Sequence, residues 1–416
     1  MNVIARIKNA SLYPLAYSTV ASQSVIARAK AFGKKPVIHF QKAYAGEKIL
    51  LITLYEKGRL RPDILNLLET AKAAGLYVVA VNTLKVLQPE SLQDRIDCYI
   101  ERPNFGRDFG SYQTGFLHLF KQGWETQCPR LLMVNDSLFF SKKHLAVFLQ
   151  QMTNTDIEVL GATENHEIEH HLGSFCISFN ANVLQHTRFK NYWKRYASTD
   201  VRPKVIKRGE MKLSKTLRRC VSSSDQFQAL FDLNWLAEHI KNHEELLNRV
   251  SDFYRVSDFV DWRRPSLKAA AGRFMNKFLH IDPGFANIEA NIEAKTIYFV
   301  DNPKGLIKAV ETSVKESNLQ NLPKRVYEEV KNDLLECFTS GSQIHQNGIL
   351  LHHLGLPIIK LDALYRGMFS IEDVDKVSGQ LSPDEKQYFR KLMYSKPFGG
   401  NTLSGWKRAA FYRGLI

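Results

Sequence analysis

Short apolar runs alternate with helical patterns from residue 49 onward, and this alternation most constrains the fold. Ile49–Leu54 and Tyr77–Val81 are apolar throughout, as is typical of strands buried on both faces. Between them, a helical pattern begins at Asp63 and ends at Gly75. Two strands joined by a helix run parallel in most sheets. The sequence therefore predicts an α/β fold with a mostly parallel sheet flanked by helices.

The alternation continues along the chain and then gives way to helices. Strands are predicted at 97–101, 130–134, 157–161 and 175–179, with helices at 111–122 and 142–152. Beyond residue 185, helices are predicted at 188–196, 225–241, 325–338 and 348–354, and strands at 296–300 and 357–361. We therefore expect a helical C-terminal region after the sheet.

A glycine-containing loop, Asn104–Tyr112, follows a predicted strand and so reaches the ligand-binding edge of the sheet. Gly106 and Gly110 allow the backbone to approach a ligand closely. Ser111 is predicted to cap the next helix, whose N-terminus favours a phosphate, and Arg107 offers a planar phosphate contact. The alternative interpretation is a plain loop with a capped helix and a surface ion pair.

A carboxylate, Asp136, ends the apolar run Leu131–Val134 within the segment Asn135–Ser137. A carboxylate there is costly unless it faces a ligand, a donor or a cation. Mn²⁺ or Mg²⁺ takes oxygen ligands and bridges diphosphate oxygens, which suits such a site. Alternatively, Asn135 or Asp136 caps the following helix.

Histidines and acids cluster in Glu164–His166 and Glu169–Gly173. Two adjacent histidines after a strand, His170 and His171, together with Ser174, are candidates for substrate contacts. We expect such contacts here rather than a zinc hydrolase site.

The net charge of +15 is concentrated in basic segments at 201–219, 262–273 and 405–413. Such segments attract polyanions, namely nucleic acid, an anionic membrane surface or a phosphorylated substrate, although a solvated basic face is the simpler alternative. The five cysteines form no C-x-x-C pair, which favours a reducing compartment. Without a signal peptide or spanning run, we expect a cytoplasmic protein, peripheral on the cytoplasmic face of the inner membrane.

With these residues in view, the chain resembles the rhamnan synthesis protein F family of bacterial polysaccharide glycosyltransferases, from about residue 48 to residue 375. The resemblance is carried by R-P-N-F-G-R-D-F-G-S-Y at 102–112 and L-M-V-N-D-S at 132–137. Further similar segments are Gly161–Thr163, His171–Phe175, Phe189–Trp193, Glu210–Ser214 and Ser342–Lys360.

The resemblance implies a glycosyltransferase-A-like fold with a Rossmann-like nucleotide-binding half. It also implies metal-assisted transfer of a sugar from a nucleotide-diphosphate donor to a lipid-linked or polysaccharide acceptor of the O-antigen, capsule or rhamnan type. Asp136 and His345 would bind the metal, and Glu210 would be the base of an inverting enzyme. The implied nucleotide-binding residues are Asn104, Gly106, Arg107, Asp108, Gly110, Ser111, Tyr112 and Asn135.

The resemblance and the composition together divide the chain into three parts. We expect an N-terminal arm or helix at 1–47, a catalytic domain at 48–300, and a helical region at 301–416 that completes the active site and carries a basic tail. Two other functions stay open at this point. One is a different nucleotide-using α/β transferase, such as a phosphotransferase, and the other is a basic nucleic-acid-binding or scaffold protein, although no nucleic-acid motif is present.

Overall fold

The central feature of the computed structural model is a nine-stranded mixed sheet with strand order β1-β4-β3-β2-β5-β9-β7-β10, in which β8 pairs with β7. The structure describes residues 3–241, 244–253, 302–313, 321–396 and 398–416. The strands are β1 (Val37–Gln41), β2 (Ile49–Leu54), β3 (Tyr77–Asn82), β4 (Cys98–Glu101), β5 (Arg130–Asn135), β6 (Leu138–Phe140), β7 (Val159–Asn165), β8 (His171–Leu172), β9 (Cys176–Asn180), β10 (Phe227–Phe231) and β11 (Ile358–Lys360).

The α-helices up to residue 248 are α1 (Val3–Ala31), α2 (Pro62–Ala73), α3 (Arg107–Gln122), α4 (Leu145–Thr153), α5 (Ala181–Gln185), α6 (Thr187–Arg195), α7 (Arg202–Val205), α8 (Lys212–Arg218), α9 (Leu233–Lys241) and α10 (Glu244–Asn248). Those described after residue 301 are α11 (Pro303–Ser313), α12 (Leu322–Phe338), α13 (Gln343–Gln346), α14 (Gly348–His353), α15 (Ile371–Ser378), α16 (Pro383–Tyr394), α17 (Gly399–Thr402) and α18 (Gly405–Tyr412).

The sheet is buried on both faces, which explains its continuous apolar strands. All six residues of β2, of β3 and of β5 are buried. Alternate residues of β2 point to opposite faces of the sheet. Leu50 and Ile52 pack with α2, α4 and the C-terminal helices, whereas Ile49 and Leu51 pack with α3 and α6. This two-sided burial is the arrangement expected of parallel strands.

The predicted fold class is confirmed. Parallel pairing joins β2 to β3 and β5, β3 to β4, and β7 to β10, and helices cover both faces. The C-terminal region is helical, with the predicted helices at 325–338 and 348–354 realised as α12 and α14.

The prediction of one helix over 225–241 is wrong in its first part. Phe227–Phe231 forms β10, which pairs with β7, and only Leu233–Lys241 is helical. Phe227, Ala229 and Phe231 are buried while the residues between them are partly exposed, so the segment has strand periodicity. The predicted arm at 1–47 contains α1 and also an edge strand, β1. The predicted strand at 296–300, the basic cluster at 262–273 and the boundary near 300 lie outside the described residues.

A two-stranded antiparallel ladder joins the C-terminal region to the carboxyl edge of the main sheet. β11 pairs with β6, and Lys360 lies opposite Leu138. The segment after β5 thereby meets a strand more than 200 positions later in the sequence. Within the described residues, no helix is long and apolar enough to cross a bilayer.

The contact of α3 with the sheet predicts a large effect for Gly115→Ala. A Cβ atom on Gly115 would lie 2.5 Å from Leu51 Cδ1 and 3.3 Å from Val81 Cγ2. We expect a loss of about 1–3 kcal/mol in the free energy of unfolding, measured by urea titration. Leu117→Ala, at a 39% exposed site of the same helix, is the matched control and should change stability by less than about 0.5 kcal/mol. Equal stability of the two variants would contradict this packing.

Candidate functional site

A cleft of about 970 Å³ opens at the carboxyl edge of the sheet. Its wall includes residues from α1, the ends of β2, β5 and β7, the start of α3, and the segment after β11. Most of the predicted site residues line it: Asn104, Arg107, Asp108, Ser111, Asn135, Asp136, His171, Ser174, Glu210 and His345. Four predicted residues, Gly106, Gly110, Tyr112 and His170, are not part of this lining.

The loop before α3 has a left-handed turn at Gly106 (φ 92°) and Arg107 (φ 51°). Asp200 fixes this turn, because its Oδ1 accepts a hydrogen bond of 2.7 Å from the Gly106 amide. A Cβ atom on Gly106 would lie 2.7 Å from Ser198 Cβ. Glycine is therefore required by the turn conformation and by the segment packed behind it.

The prediction that Ser111 caps a helix is wrong, because α3 begins four residues earlier at Arg107. Ser111 lies inside the helix, and its hydroxyl accepts a hydrogen bond of 2.9 Å from Arg102 Nη1. A Cβ atom on Gly110 would lie 2.6 Å from Arg102 Nη2, so Gly110 makes room for an arginine rather than for a ligand. Asp108 occupies the first turn of α3, where a negative charge is favoured.

Tyr112 lies beneath the cleft. Its side chain is fully buried, contacts Phe109 and Trp193, and donates a hydrogen bond of 3.4 Å to the Ser174 carbonyl. It can thus position the floor of the site through Ser174, but it does not reach a ligand in the cleft.

Asn135 connects the two predicted segments directly. Its Nδ2 donates to Asp108 Oδ2 at 3.2 Å, and its Oδ1 accepts from Ser137 Oγ at 2.6 Å. The alternative that Asn135 or Asp136 caps a following helix is wrong, because the next element is the strand β6. The segment instead forms a polar corner between β5 and β6.

Asp136 is a buried carboxylate, 8% exposed, next to other carboxylates. Burial and the charge of Asp108 raise its pKa to about 7, against the lowering effects of Arg61 and the Tyr55 amide. Burial likewise raises the pKa of Glu56 to about 7, despite Arg61 at 3.4 Å. Both carboxyls therefore exchange a proton near neutral pH, which a bound cation would displace.

Glu210 faces the cleft from a single π-helical turn, Ile206–Met211, and such turns recur at functional sites. Its Oε2 lies 3.8 Å from His171 Nε2, and His171 Nδ1 donates to the Glu169 carbonyl at 2.8 Å. Burial would raise the pKa of Glu210, but His171, Lys360 and Arg202 hold that pKa below its usual value. Glu210 is therefore ionised at neutral pH, with an oriented imidazole beside it.

The turn that carries Glu210 also packs against the start of α3. A Cβ atom on Gly209 would lie 2.8–2.9 Å from the ring of Phe109 in α3. Tyr192 donates to the carbonyls of Arg208 and Gly209, each at 3.2 Å. These contacts fix the position of Glu210 relative to Asp108.

Cations that the sequence reasoning did not assign lie among these carboxylates. Lys360 Nζ donates to Ser137 Oγ at 2.9 Å and lies 4.8 Å from the centre of the Phe175 ring. Burial lowers the pKa of Lys360, opposed by Asp362, Glu210 and Asp108. Burial and the nearby Arg366 lower the pKa of Arg202 to about 10. One signal was available in the sequence, since Lys360, like Asp136, ends an apolar strand.

His345 lies in the cleft between two protein partners. Its Nε2 donates to Asp362 Oδ1 at 3.3 Å, and its Nδ1 is 2.9 Å from Ser342 Oγ. Asp362 also accepts from Arg366 Nε at 2.5 Å. In the part of the chain that the structure describes, His345 and Asp136 belong to no group of three convergent metal ligands. The metal role of His345 stays a prediction.

The basic segment at 201–219 borders a second recess of about 400 Å³ on the outer side of the Glu210 turn. Its charged lining consists of Arg188, Arg195, Arg208, Lys212 and Arg219. It combines five cations with no carboxylate, so it favours anions.

The raised pKa of Asp136 predicts a pH-dependent stability effect for Asp136→Asn. An unfolded Asp has a pKa near 3.9, so the folded protein retains a proton that the unfolded chain has lost, and stability falls as pH rises from about 4 to about 7. Without divalent metal, the variant should be about 1–4 kcal/mol more stable than the wild type at pH 8 and nearly equal at pH 4, measured by urea unfolding.

Asp94→Asn, which changes an exposed carboxylate, is the control and should give no such pH-dependent gain. A gain at pH 8 no larger than that of the control would contradict the buried environment of Asp136.

Comparison with known proteins supports the resemblance read from the sequence. The family model for rhamnan synthesis protein F matches residues 76–255, which carry Asn104–Tyr112, Asp136 and Glu210. The resemblance is confirmed over that segment.

Two curated relatives share part of the chain. The uncharacterized protein y4gN of Sinorhizobium fredii is 30% identical over 192 residues, covering 45% of this chain and 48% of that protein. The virulence protein VirA of Vibrio anguillarum is 28% identical over 140 residues, covering 33% and 44%. The chain thus spans about half the length of the curated relatives it matches.

Among solved structures, the glycosyltransferase GlyE of Streptococcus pneumoniae aligns with 71% of this chain and 65% of its own, at 10% identity and a TM-score of 0.27. A likeness this low carries no argument about the chain.

Proposed function

We propose that this protein is a glycosyltransferase that moves a sugar from a nucleotide-diphosphate donor to a cell-surface polysaccharide acceptor. The observation that most supports the proposal is one cleft that brings Asp108 and Asp136 together with the Glu210–His171 pair. The family match over 76–255 supports the coarser part of the proposal, a role in polysaccharide synthesis.

The donor would lie along the α3 side of the cleft. Asn104 and Arg107 are exposed at its rim, where they can contact the nucleotide. Lys360, Arg202 and Arg366 supply positive charge deeper in the cleft, which favours a diphosphate.

The residues present fit Mn²⁺ or Mg²⁺ at Asp136. Asp136 and Asp108 repel each other, Glu56 adds a third acid, and hard divalent ions prefer such oxygen ligands. Asp136 and Asp108 would hold the ion, and the remaining ligands would come from the donor diphosphate. When bound, such an ion supplies Lewis-acid stabilisation of the departing nucleoside diphosphate.

Glu210 would act as the general base of an inverting transfer. The acceptor oxygen forms a bond to the anomeric carbon as the bond to the diphosphate oxygen breaks, and the hydroxyl proton passes to the Glu210 carboxylate. Its lowered pKa keeps the carboxylate ready to accept this proton at neutral pH. His171 holds the carboxylate in place and stabilises its charge before transfer.

Glu210→Gln tests the assignment of the base. In a screen of nucleotide sugars with Mn²⁺ or Mg²⁺, we expect the wild type to release a nucleoside diphosphate in the presence of acceptor glycan. The variant should lose at least about 100-fold in kcat while its nucleoside-diphosphate affinity changes less than about three-fold, because only proton transfer is removed.

Lys121→Gln, at an exposed position of α3, is the control and should keep full activity. Undiminished turnover in Glu210→Gln would contradict the base assignment. Phosphoryl transfer from a nucleoside triphosphate would instead favour a phosphotransferase.

Peripheral binding to an anionic membrane is also part of the proposal, and one surface supports it. The end of α1 exposes Val25 (66%) and Ile26 (54%), and the segment that follows it exposes Phe32 (86%). Four exposed cations lie near them in the sequence, namely Arg28, Lys30, Lys34 and Lys35. Exposed apolar side chains close in sequence to lysine and arginine suit the headgroup region of an anionic bilayer. A lipid-linked acceptor would then meet the enzyme at the membrane.

Phe32→Asp tests this surface. In sedimentation with phosphatidylglycerol-containing vesicles, we expect wild-type binding that weakens with salt, and at least about a ten-fold loss of affinity in the variant. Leu87→Asp introduces the same charge at a 71% exposed leucine elsewhere and should bind like the wild type. Equal binding of the two variants would exclude this face as the contact.

A further inference from the structure

Two imidazoles and a carboxylate converge at the turn between β7 and β8, outside the proposed donor site. His166 Nε2 lies 2.9 Å from Glu164 Oε2, and His170 Nε2 lies 3.4 Å from the same oxygen. One ligand atom from each residue lies within 4.8 Å of the others. Throughout the described ranges, this is the one group of three or more such side chains that converges in this way.

The turn is held in place by backbone contacts, so the convergence does not depend on flexible side chains alone. The His166 amide donates to the Gly341 carbonyl at 2.7 Å, and the Glu164 amide donates to Gln343 Oε1 at 2.9 Å. Glu164 also pairs with Leu172 across the β7–β8 ladder. The two imidazole rings lie side by side, with centroids 4.9 Å apart.

The segment 166–170 has the spacing H-E-x-x-H, but its structure differs from that of a zinc hydrolase. That motif works on a helix, where the intervening Glu acts as the base. Here the segment is a non-helical turn with a left-handed residue, Ile168 (φ 69°). The carboxylate that joins the histidines is Glu164, which precedes the motif. The hydrolase arrangement is therefore absent, while a set of three ligands is present.

We propose that Glu164, His166 and His170 bind a divalent transition-metal ion, with Zn²⁺ preferred. Tetrahedral zinc with ligands at about 2.0–2.1 Å places ligand atoms roughly 3.3–3.4 Å apart, close to the spacings in the cluster. Imidazole with carboxylate is a ligand set that suits zinc. The open fourth position would hold water.

The carboxylate is ready for this role. Its Oε2 already faces Nε2 of both histidines, at 2.9 and 3.4 Å. The ion would replace the hydrogen on Nε2 of each histidine, and the remaining proton would lie on Nδ1, which at His170 requires Arg218 to move away from that atom.

Arg218 opposes metal binding at His170. Its Nη2 donates to His170 Nδ1 and, at 2.8 Å, to the His170 carbonyl, while the guanidinium lies 4.8 Å from the centre of the Phe227 ring. When Nδ1 of His170 accepts a hydrogen bond from Arg218, the single proton of the neutral ring lies on Nε2. Nε2 is the atom that must bind the ion, so this tautomer blocks it. The nearby charges of Glu169 and Lys215 compensate each other in an ion pair of 2.8 Å. Arg218 is therefore the main positive charge that repels a bound cation.

The site would act on the cleft through its wall. Asn165, Glu167 and Ile168 line the cleft, and His171, the next residue after the cluster, orients Glu210. A bound ion would therefore fix the turn that forms this part of the cleft wall. This proposal stands on the cluster alone and does not depend on the donor or on the reaction.

Calorimetric titration of the full chain with Zn²⁺ after chelator treatment tests the proposal, and the visible absorption of bound Co²⁺ reports the ligand geometry. We expect one site of micromolar or tighter affinity with a tetrahedral Co²⁺ spectrum. Glu164→Gln, His166→Ala and His170→Ala, each checked for native circular dichroism, should lose at least about ten-fold in affinity. Arg218→Ala should bind at least about three-fold more tightly.

His39→Ala provides the matched control, because His39 also pairs with a glutamate, Glu101, at 3.1 Å but has no third ligand. It should bind Zn²⁺ like the wild type. Absence of a site in the wild type, or unchanged affinity in both His166→Ala and Glu164→Gln, would overturn the proposal. Glu164→Gln preserves shape, so it remains informative if a histidine variant fails to fold.

Discussion

The buried ammonium of Lys360 is the interaction on which the cleft depends. Burying a cation is costly unless opposite charges and hydrogen bonds compensate it. Here Asp362, Glu210 and Asp108 supply the charges, and Ser137 accepts its hydrogen bond. The same cation moderates the pKa of Asp108 and lowers that of Glu210. One ammonium thus connects the start of α3, the π-helical turn and the segment after β11.

This connection depends on the pairing of two strands that are far apart in the sequence, β6 and β11. β11 reaches β6 only because the C-terminal helices pack against the α2 and α4 face of the sheet. The C-terminal region therefore completes the cleft by contributing Lys360, Asp362, His345 and Arg366 to it. Asp136 and Glu56, which the sheet holds close together, keep raised pKa values even with these cations nearby. Raised pKa values mean that these buried carboxylates reduce the stability of the folded protein at neutral pH. Such an arrangement suits the binding of a cation and a polyanion better than it suits folding stability.

Local patterns in the sequence predicted the parts of the structure that depend on near neighbours. The apolar runs at 49–54 and 77–81 correctly predicted two buried strands. The segments Asn104–Tyr112 and Asn135–Ser137 predicted residues of one wall of the cleft. β10 was predicted as part of a helix because its apolar residues, Phe227, Ala229 and Phe231, were taken together with the apolar residues of α9. Ser111 was misplaced because the left-handed turn at Gly106–Arg107 starts α3 early. Lys360 and Arg366 reach the cleft because β11 pairs with β6. Hydrophobic periodicity along the sequence does not encode pairing between such distant segments.

In the proposed function, Lys360 and its neighbouring cations hold a diphosphate in the cleft that Asp136 also lines. Calorimetric titration with a nucleoside diphosphate and the matching monophosphate, each with and without Mn²⁺, tests it most directly. We expect the diphosphate to bind at least about ten-fold more tightly than the monophosphate and Mn²⁺ to strengthen binding of the diphosphate only. Lys360→Met should remove this preference, and Lys121→Met should retain it. Equal affinity for the two nucleotides, or an unchanged preference in Lys360→Met, would contradict it.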